Sequence, residues 1–256
     1  QMNQLVFHRG PNDSGVWVNE KLSMGMQRLS IIDLIHGQQP MFNPPNKTTI
    51  IFNGEIYNYM TLKVQLEKKG HEFITKSDTE VILKLYQEYG ISSFEMLDGM
   101  FAFSIYDAIT KKVYCVRDFF GEKPLYYFAD DQTIGWASEL KSLIILKDQK
   151  PTIDSTALSL YFRLTYIPAP YTIYSEIYKL EPNHYLAIDI ENFDIEKHPI
   201  DQNIKTEKVE TKEQAIRYTH DAVMESVGSR KVADVPLASF LSGGVDSSII
   251  SLCLSQ

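Results

Sequence analysis

The feature that most constrains this chain lies near its C-terminal end, where an apolar run leads straight into a loop rich in glycine and serine. The run Val235–Leu241 has the composition of a strand buried on both faces, as in a parallel sheet. The heptad Ser242-Gly243-Gly244-Val245-Asp246-Ser247-Ser248 follows, and an apolar helix is predicted after it, over 249–254. This order of strand, loop and helix predicts the beginning of a doubly wound α/β domain.

The heptad favours the binding of phosphate groups. Glycines let the backbone approach an anion closely, and successive N–H groups at a helix N-terminus form a concave site with partial positive charge. No lysine follows a glycine at the Walker A spacing, so the loop does not predict transfer of a γ-phosphate. The Asp246 carboxylate lies where phosphate would bind, which favours a bridging Mg²⁺ and a pyrophosphate leaving group, with attack at the α-phosphorus to form an adenylate.

We therefore predict ATP and Mg²⁺ as cofactors, with Asp246 as a ligand of the metal. The predicted nucleotide-binding residues are Leu241, Ser242, Gly243, Gly244, Asp246, Ser247 and Ser248. A plainer interpretation is a Gly-Gly turn in which Asp246 or Ser247 is an ordinary helix N-cap. The complete heptad after an apolar run favours the functional interpretation.

Charge and composition exclude several classes of partner. The 256 residues include 33 acidic and 25 basic side chains, for a net charge of -8, which argues against a nucleic-acid surface. Lysine and arginine occur in runs no longer than two, and no apolar stretch reaches the length of a membrane helix, so no membrane partner is predicted. Two isolated cysteines, Cys115 and Cys253, do not make a disulfide framework, which favours a reducing, cytoplasmic location.

The first part of the chain is predicted to be an α+β region with antiparallel strands. The predicted strands cover 48–52, 101–107, 112–118, 125–129 and 133–138. A helix over 61–69 ends at Gly70, and a second helix begins at the capping box Ser77-Asp78-Thr79-Glu80 and ends at Gly90. Asn53-Gly54 follows the first strand and is a turn signal.

A change of composition near residue 191 predicts a domain boundary. Residues 191–210 are polar, charged and poorly periodic, which indicates a linker. We predict a first domain over 1–190 and the start of a second over 211–256, opened by a helix that Thr211 and Gln214 cap. About 45 residues rarely fold alone, so we expect the second domain to continue past Gln256.

Several motifs, taken together, resemble a known family. They are His8-Arg9-Gly10-Pro11-Asn12-Asp13-Ser14-Gly15, Arg28-Leu29-Ser30-Ile31-Ile32-Asp33, Asn53-Gly54-Glu55-Ile56-Tyr57-Asn58, Ser77-Asp78-Thr79-Glu80, Gly99-Met100-Phe101-Ala102-Phe103, and Arg117-Asp118 followed by Lys123-Pro124-Leu125-Tyr126-Tyr127. They resemble class II glutamine amidotransferase domains, which are N-terminal-nucleophile hydrolases, and the heptad resembles the pyrophosphate loop of ATP pyrophosphatases. Their order and spacing are similar to those of asparagine synthetases. The resemblance implies a four-layer αββα sandwich followed by the beginning of a doubly wound α/β domain.

The resemblance also implies a role for each matching residue of a glutamine pocket. Arg28 would bind the α-carboxylate of glutamine through its planar guanidinium, and Leu29 and Ile31 would line the pocket. Asp78, helped by Glu55, would bind the α-amino group.

Asn53, through its side-chain amide, and Gly54, through its N–H group, would form an oxyanion hole for the tetrahedral intermediate. Each role has a plainer alternative. Arg28 could be a surface ion pair, Asn53-Gly54 could be a hairpin turn, and Asp78 could stabilise the dipole of its helix.

One departure from the family concerns the nucleophile, which in the family is a cysteine at the mature N-terminus. Residue 1 here is Gln1, whose amide cannot serve in that role, and neither Cys115 nor Cys253 lies at the matching position. We expect the nucleophilic cysteine to lie upstream of Gln1, and the chain as printed not to hydrolyse glutamine. Arg117 and Asp118 are interpreted as structural partners.

The resemblance as a whole implies a glutamine-dependent asparagine synthetase that uses glutamine, aspartate and ATP, and a homodimer is a candidate assembly. One alternative is a related amide-forming ligase, such as a β-lactam synthetase or an amidotransferase that modifies sugars or peptides. These enzymes share both domains and differ in the acceptor pocket. Another alternative is a non-catalytic module that keeps the fold for a regulatory or storage role.

Overall fold

Antiparallel sheets and the helices that cover them build most of the molecule. The structure, a computed structural model, describes residues 1–45, 47–147, 149–201, 206 and 208–255. The strands are β1 (Asp13–Val18), β2 (Ser23–Arg28), β3 (Met41–Asn43), β4 (Thr48–Ile56), β5 (Gly99–Asp107), β6 (Lys112–Arg117), β7 (Tyr126–Ala129), β8 (Ile134–Ala137), β9 (Tyr178–Lys179), β10 (His184–Asp189) and β11 (Asp194–Pro199). The α-helices are α1 (Met2–Leu5), α2 (Tyr59–Lys68), α3 (Asp78–Tyr89), α4 (Leu140–Ile144), α5 (Ser155–Leu164), α6 (Lys212–Ser229) and α7 (Val245–Leu254).

Three sheets form from these strands. A six-stranded sheet has the order β11-β10-β6-β5-β4-β3, a three-stranded sheet has the order β8-β7-β9, and β1 pairs with β2 alone. The longest pairing joins β4 to β5, from Thr48 opposite Asp107 to Ile56 opposite Gly99. The predicted strand pairs of the sequence, 101–107 with 112–118 and 125–129 with 133–138, are confirmed by the pairings of β5 with β6 and of β7 with β8.

Strict alternation along β5 gives the six-stranded sheet two apolar faces. Phe101, Phe103 and Ile105 point into a core that also contains the buried faces of α2 and α3. Ala102 and Tyr106 point to the opposite side, into a second core shared with β1, β2, β7 and β8. Successive side chains of a strand lie on opposite faces, so one strand can supply both cores.

A fourth layer covers the outer side of the smaller sheets. Phe128 of β7 and Leu143 of α4 are fully buried together, and Met2 of α1 packs against them. The layers are therefore α2 and α3, the six-stranded sheet, the smaller sheets, and α1 with α4. This arrangement confirms the αββα sandwich predicted for the first domain.

Arg117 and Asp118 hold the turn after β6 together. Asp118 is fully buried, and its carboxylate accepts hydrogen bonds from the backbone N–H groups of Phe101, Phe120, Glu122 and Lys123. Arg117 donates to the carbonyl groups of Gly121, Lys123 and Leu180. Both side chains satisfy buried backbone groups, which confirms their interpretation as structural partners.

Of the capping box predicted at the start of α3, the serine cap forms but the hydrogen bond to the Glu80 side chain is wrong. Ser77 caps the helix by accepting a hydrogen bond from the N–H of Thr79. The Glu80 side chain, however, accepts from the N–H groups of Ile74 and Thr75 at 2.7–3.2 Å instead of returning to Ser77. Residues 74 and 75 present two backbone donors to one carboxylate, and these replace the single donor of a capping box.

The turn predicted at Asn53-Gly54 is also wrong, because both residues lie inside β4. Gly54 permits an unusually close approach of β4 to β5. A Cβ at this position would lie 2.0 Å from the carbonyl oxygen of Met100. The glycine is therefore needed for strand pairing rather than for a chain reversal.

Two predictions near the C-terminal end differ from the structure. The strand β11 occupies 194–199, inside the predicted linker. It lies at the edge of the sheet and is mostly exposed, so its residues are polar and do not show the apolar alternation by which a strand is recognised. Residues 202–205 and 207 of that linker lie outside the described residues. The run 235–241 forms no strand, and Phe240 is almost fully exposed. A strand needs a hydrogen-bonded neighbour, and none of the described residues pairs with this run.

The helix predicted at the beginning of the second domain is confirmed. Thr211 and Gln214 form a reciprocal capping box at the N-terminus of α6. Over the described ranges, no helix has both the length and the hydrophobicity that a membrane crossing requires.

Candidate functional site

A single cavity of about 820 Å³ lies against the ends of β2, β4 and α3. Its lining includes every residue that the sequence predicted for a glutamine pocket, namely Arg28, Leu29, Ile31, Asn53, Gly54, Glu55 and Asp78. These positions are up to 50 residues apart in the sequence, and the pairing of the strands brings them together. The predicted phosphate-loop residues do not line this cavity.

Arg28 is the last residue of β2 and is 6% exposed, so it is not the surface ion pair considered above. Its Nη2 atom donates to the carbonyl oxygens of Ile32 and Asp33, both at 2.9 Å. Gly37 lies directly against the guanidinium, and a Cβ there would be 2.2 Å from Nη2. The short loop 29–37 therefore wraps around the guanidinium and fixes its orientation.

Burial and nearby carboxylates act on Arg28 in opposite directions. Burial lowers the pKa of the Arg28 guanidinium, while Asp13, Asp33 and Asp78 raise it. Its ordinary pKa is so high that the group stays charged at neutral pH. The cavity therefore contains a fixed positive charge that has lost much of its water.

Asp33 was given no role by the sequence, although it ends the motif that begins at Arg28. It is 7% exposed, and its two carboxylate oxygens accept from the N–H groups of His36 at 3.0 Å and Lys76 at 2.8 Å. The carboxylate thus joins loop 29–37 to the segment that enters α3. Its place as the last residue of the Arg28 motif was the signal in the sequence.

Asp78 is the first residue of α3 and is 4% exposed. Its Oδ2 accepts from the N–H of Ile56 at 3.1 Å. Burial raises the pKa of Asp78 to about 6, and the charge of Glu55 adds to the effect, while hydrogen bonds from Ile56, Thr79 and Ser77 oppose it. The place of Asp78 in the first helical turn agrees with the dipole interpretation, but its burial inside a cavity goes beyond that interpretation.

Glu55 lies beside Asp78 on β4 and is half-buried. Burial raises the pKa of the Glu55 carboxyl, and the charge of Lys123 lowers it. Two carboxyl groups near one guanidinium make the cavity complementary to a molecule that carries both a carboxylate and an ammonium group.

Asn53 contributes an unsatisfied donor to the cavity. Its Nδ2 atom is buried, with no hydrogen-bond partner among the described residues. Buried side-chain amides nearly always find a partner, and an orphaned donor that lines a cavity is a candidate contact for a ligand. Gly54 follows Asn53 along the same strand.

Gln39 is a second residue that sequence reasoning missed. Its Oε1 accepts from the N–H of Phe52 at 2.6 Å, and its Nε2 lies 3.4 Å from the hydroxyl oxygen of Thr79. Phe52 precedes Asn53, and Thr79 follows Asp78. The buried amide therefore links the strand that presents the orphaned donor to the helix that presents the carboxylate, and no sequence motif marks it.

Leu29 and Ile31 lie on loop 29–37 at the edge of the cavity. Leu29 is 55% exposed, and Ile31 packs partly against the core under α2 and α3. Both are therefore placed to contact a ligand from the open side rather than to fill the interior.

Neither cysteine lies in the cavity. Cys115 on β6 is fully buried, and burial raises its pKa to about 12, so it is a neutral thiol at pH 7. Cys253 is buried on α7. Among the described residues that line the cavity there is no cysteine.

The predicted phosphate loop is an exposed turn at the start of α7. Gly243 has a φ of +85°, which a glycine adopts readily, and Gly244 is the N-cap of the helix. The hydroxyl groups of Ser247 and Ser248 donate to the carbonyl oxygen of Gly244 at 3.1 and 2.8 Å. Since α7 begins at Val245, the alternative in which a later residue of the heptad is the N-cap is wrong.

Asp246 lies in the first turn of α7 and is exposed. No group of three potential metal-binding side chains occurs in the part of the chain that the structure describes. One carboxylate next to a phosphate-binding loop nevertheless suits Mg²⁺, which commonly takes one or two protein carboxylates and completes its shell with phosphate oxygens and water. Leu241, before the loop, is 65% exposed.

Comparisons with known proteins match the two ends of the chain to different families. A family model described as a glutamine amidotransferase domain matches residues 1–199, and one described as asparagine synthase matches residues 219–256. The chain is 40% identical over 250 residues to "Asparagine synthetase [glutamine-hydrolyzing] 1" of Bacillus subtilis. It is 36% identical over 271 residues to "Putative asparagine synthetase [glutamine-hydrolyzing] 2" of Methanocaldococcus jannaschii.

Both alignments cover 98% of this chain. The chain spans 39% of the length of the first relative and 52% of the second. A solved structure of glutamine phosphoribosylpyrophosphate amidotransferase from Bacillus subtilis, with ADP and GMP, aligns with 65% of this chain and 32% of its own, at 23% identity and a TM-score of 0.45.

Replacing Asp78 by asparagine should reveal the cost of its burial. The pKa of the folded carboxyl, about 6, lies above the ordinary value of 3.8, so the cost is small below the ordinary pKa, grows as the pH rises from there to the folded pKa, and is constant above it. We expect the unfolding free energy of Asp78→Asn, relative to wild type, to rise by about 2 kcal/mol between pH 4 and pH 8. Urea unfolding at both pH values measures it.

The exposed Asp194 on β11 provides the matched control. The unfolding free energy of Asp194→Asn, relative to wild type, should be the same at both pH values. A stability difference for Asp78→Asn that does not depend on pH would contradict the assignment of a buried, ionisable carboxyl to the cavity.

Proposed function

The chain belongs to the glutamine amidotransferase family, whose model matches residues 1–199, and on this premise we propose that its cavity binds glutamine for a glutamine-hydrolysing asparagine synthetase. One observation carries the proposal: a buried guanidinium, a buried carboxyl and an orphaned amide donor meet in one cavity. The family matches at both ends of the chain support it.

The two charges suit the two ends of an amino acid. Arg28 would bind the α-carboxylate, since the guanidinium is a planar fork of donors that matches a carboxylate. Asp78, with Glu55, would bind the α-ammonium group. A bound ammonium offsets the burial cost of the Asp78 charge, so the penalty is largest in the free protein and is relieved by the ligand.

The side-chain amide of glutamine would then lie near Asn53 and Gly54. In hydrolysis a thiolate adds to the amide carbon, and negative charge develops on the carbonyl oxygen. The Nδ2 group of Asn53 and the N–H of Gly54 would donate to that oxygen. The C–N bond breaks, ammonia leaves after protonation, and water releases glutamate from the thioester.

The resemblance assigns the thiolate to an N-terminal cysteine, and residues 1–256 do not include it. In this proposal the chain supplies the pocket that orients glutamine and the donors that stabilise the oxyanion. Cys115 and Cys253 take no part.

For the second reaction we propose that residues 211–256 begin an ATP-binding domain of the doubly wound α/β type. The residues 241–244 and 246–248 would bind the pyrophosphate of ATP, with Asp246 as a Mg²⁺ ligand. Aspartate would attack the α-phosphorus to give an aspartyl adenylate and pyrophosphate, and ammonia would displace AMP to give asparagine. A cytoplasmic location and a homodimer stay predictions from the sequence.

Glutamine binding tests the pocket directly. Replacing Arg28 by lysine keeps the positive charge but removes the planar fork, and we expect the dissociation constant for glutamine to rise by about 10-fold to 100-fold, as for loss of one charge-assisted hydrogen bond. Isothermal titration calorimetry measures it. Arg217→Lys, on the exposed face of α6, is the matched control and should bind as wild type.

A wild-type chain that shows no saturable heat with L-glutamine would contradict the proposed pocket. Equal affinity of wild type and Arg28→Lys would remove Arg28 from it.

The phosphate loop is tested separately, with ammonia as the nitrogen source so that the glutamine pocket is not needed. In the protein that carries this sequence, Asp246→Asn should reduce aspartate-dependent release of pyrophosphate from Mg·ATP by about 100-fold or more, as expected for loss of a group that holds the charge-stabilising cation. Asp221→Asn on α6 is the control. Undiminished release in Asp246→Asn would exclude Asp246 as a metal ligand, and release without aspartate would point to another acceptor.

A further inference from the structure

Two hydrogen bonds join the glutamine-pocket loop to the segment that follows α6. The N–H of Asp33 donates to Oδ2 of Asp234 at 2.8 Å. In return, the N–H of Asp234 donates to the carbonyl oxygen of Ile31 at 2.9 Å. The two aspartates are 201 residues apart in the sequence, so this closed pair is a tertiary contact rather than a local turn.

On the pocket side, the same loop holds the guanidinium. Ile32 and Asp33 present their carbonyl oxygens to Nη2 of Arg28, while their neighbour Ile31 accepts from Asp234. A shift of this backbone by an ångström would change the direction of the guanidinium, because both of its contacts come from the shifted atoms.

The side chain of Asp33 extends the connection to the second charge of the pocket. Its Oδ2 accepts from the N–H of Lys76, two residues before Asp78. Asp33 is therefore in contact, through backbone groups, with the elements that carry both charges of the cavity. The Asp234 carboxylate accepts the hydrogen bond of the Asp33 N–H group.

On the other side, the segment 230–234 rests on the first domain at several points. The guanidinium of Arg230 lies 4.6 Å from the centre of the Tyr57 ring, and Val232 packs against the core under α2 and α3. Ser242, the first residue of the phosphate loop, follows eight positions after Asp234. Among the described residues, the hydrogen bonds at Asp234 are the last that join the sandwich to the chain leading toward that loop.

A plainer explanation is that Asp234 is an exposed acid that caps whatever N–H group lies near it. Asp234 is indeed exposed. That explanation accounts for one hydrogen bond, but it does not account for the returning bond from the Asp234 N–H to Ile31. It also does not account for the packing of Val232, which places this stretch of backbone on the loop.

We propose that Asp234 is a positioning residue for the glutamine pocket, which holds loop 29–37 in the conformation that aims Arg28. The proposal deepens the proposed function and rests on it for the identity of the ligand. Because binding energies are reciprocal, glutamine that orders the loop must also tighten the hold on residues 232–234, which lead to the phosphate loop. Binding in the pocket would therefore hold residues 232–234, which lead to the second domain, more tightly against loop 29–37.

Three variants of the chain test this. Asp234→Ala removes the acceptor, and Asp234→Asn keeps an oxygen at the same place. Asp221→Ala removes an exposed acid on α6 whose side chain is hydrogen-bonded to its neighbour His220. We expect Asp234→Ala to raise the dissociation constant for L-glutamine about tenfold in calorimetry, the size expected for one lost charge-assisted hydrogen bond. Asp234→Asn should recover most of the affinity, and Asp221→Ala should match wild type.

Hydrogen exchange provides a readout that needs no ligand. In Asp234→Ala the amide of Asp33 should exchange about tenfold faster than in wild type, with unchanged exchange in the buried strand β5 and an unchanged melting temperature. In the wild type, L-glutamine should slow exchange at the amide of Asp234, and this slowing should be lost in Arg28→Lys.

The outcomes separate the two claims. If the wild type binds no glutamine but Asp33 still exchanges faster in Asp234→Ala, the proposed function fails and the loop-positioning role of Asp234 stands alone. If Asp234→Ala binds glutamine as wild type and the exchange at Asp33 is unchanged, the positioning role is overturned. If Asp234→Asn behaves like Asp234→Ala, the oxygen acceptor is not the group that matters, which also overturns it.

Discussion

The pairing of β4 with β5 is the constraint on which the rest of the sandwich depends. Nine consecutive residue pairs run from Thr48 opposite Asp107 to Ile56 opposite Gly99. Alternation along this ribbon sends Phe103 toward the helices and Ala102 toward the second sheet, so both apolar cores share one pair of strands. The two strands stay paired beyond Asn53 because the next residue, Gly54, has no side chain to block their close approach. The continued pairing places the side-chain amide of Asn53 in the cavity rather than in a surface turn.

The cavity combines this rigid strand with two charges that the fold tolerates at a cost. Arg28 and Asp78 are each removed from water, and burial acts against the charged form of both. Their backbone contacts differ, because Arg28 is held by carbonyl groups of its own loop while Asp78 accepts an N–H from β4. Burying these two charged groups lowers the free energy of unfolding of the free protein, and binding of a ligand with the opposite charges raises it again.

Sequence reasoning found the parts whose signal is local. Gly70 and Gly90 have positive φ at the ends of α2 and α3, as their positions predicted. The resemblance to a known family identified the residues that line the cavity, because their order and spacing match that family. It failed where the deciding partner is distant in sequence. Gln39 and Asp33 act through backbone groups that no pattern marks, and the run 235–241 has the composition of a buried strand without a described neighbour to pair with.

The most direct test of the central claim is the dissociation constant for L-glutamine measured from pH 5 to pH 8. Only the ionised carboxylate of Asp78 can pair with the ammonium group, and its pKa in the free protein is about 6. We expect constant affinity above about pH 7 and a loss approaching tenfold per pH unit well below the pKa. A dissociation constant that is flat across this range would contradict the account, because the buried carboxyl would then take no part in holding the ligand.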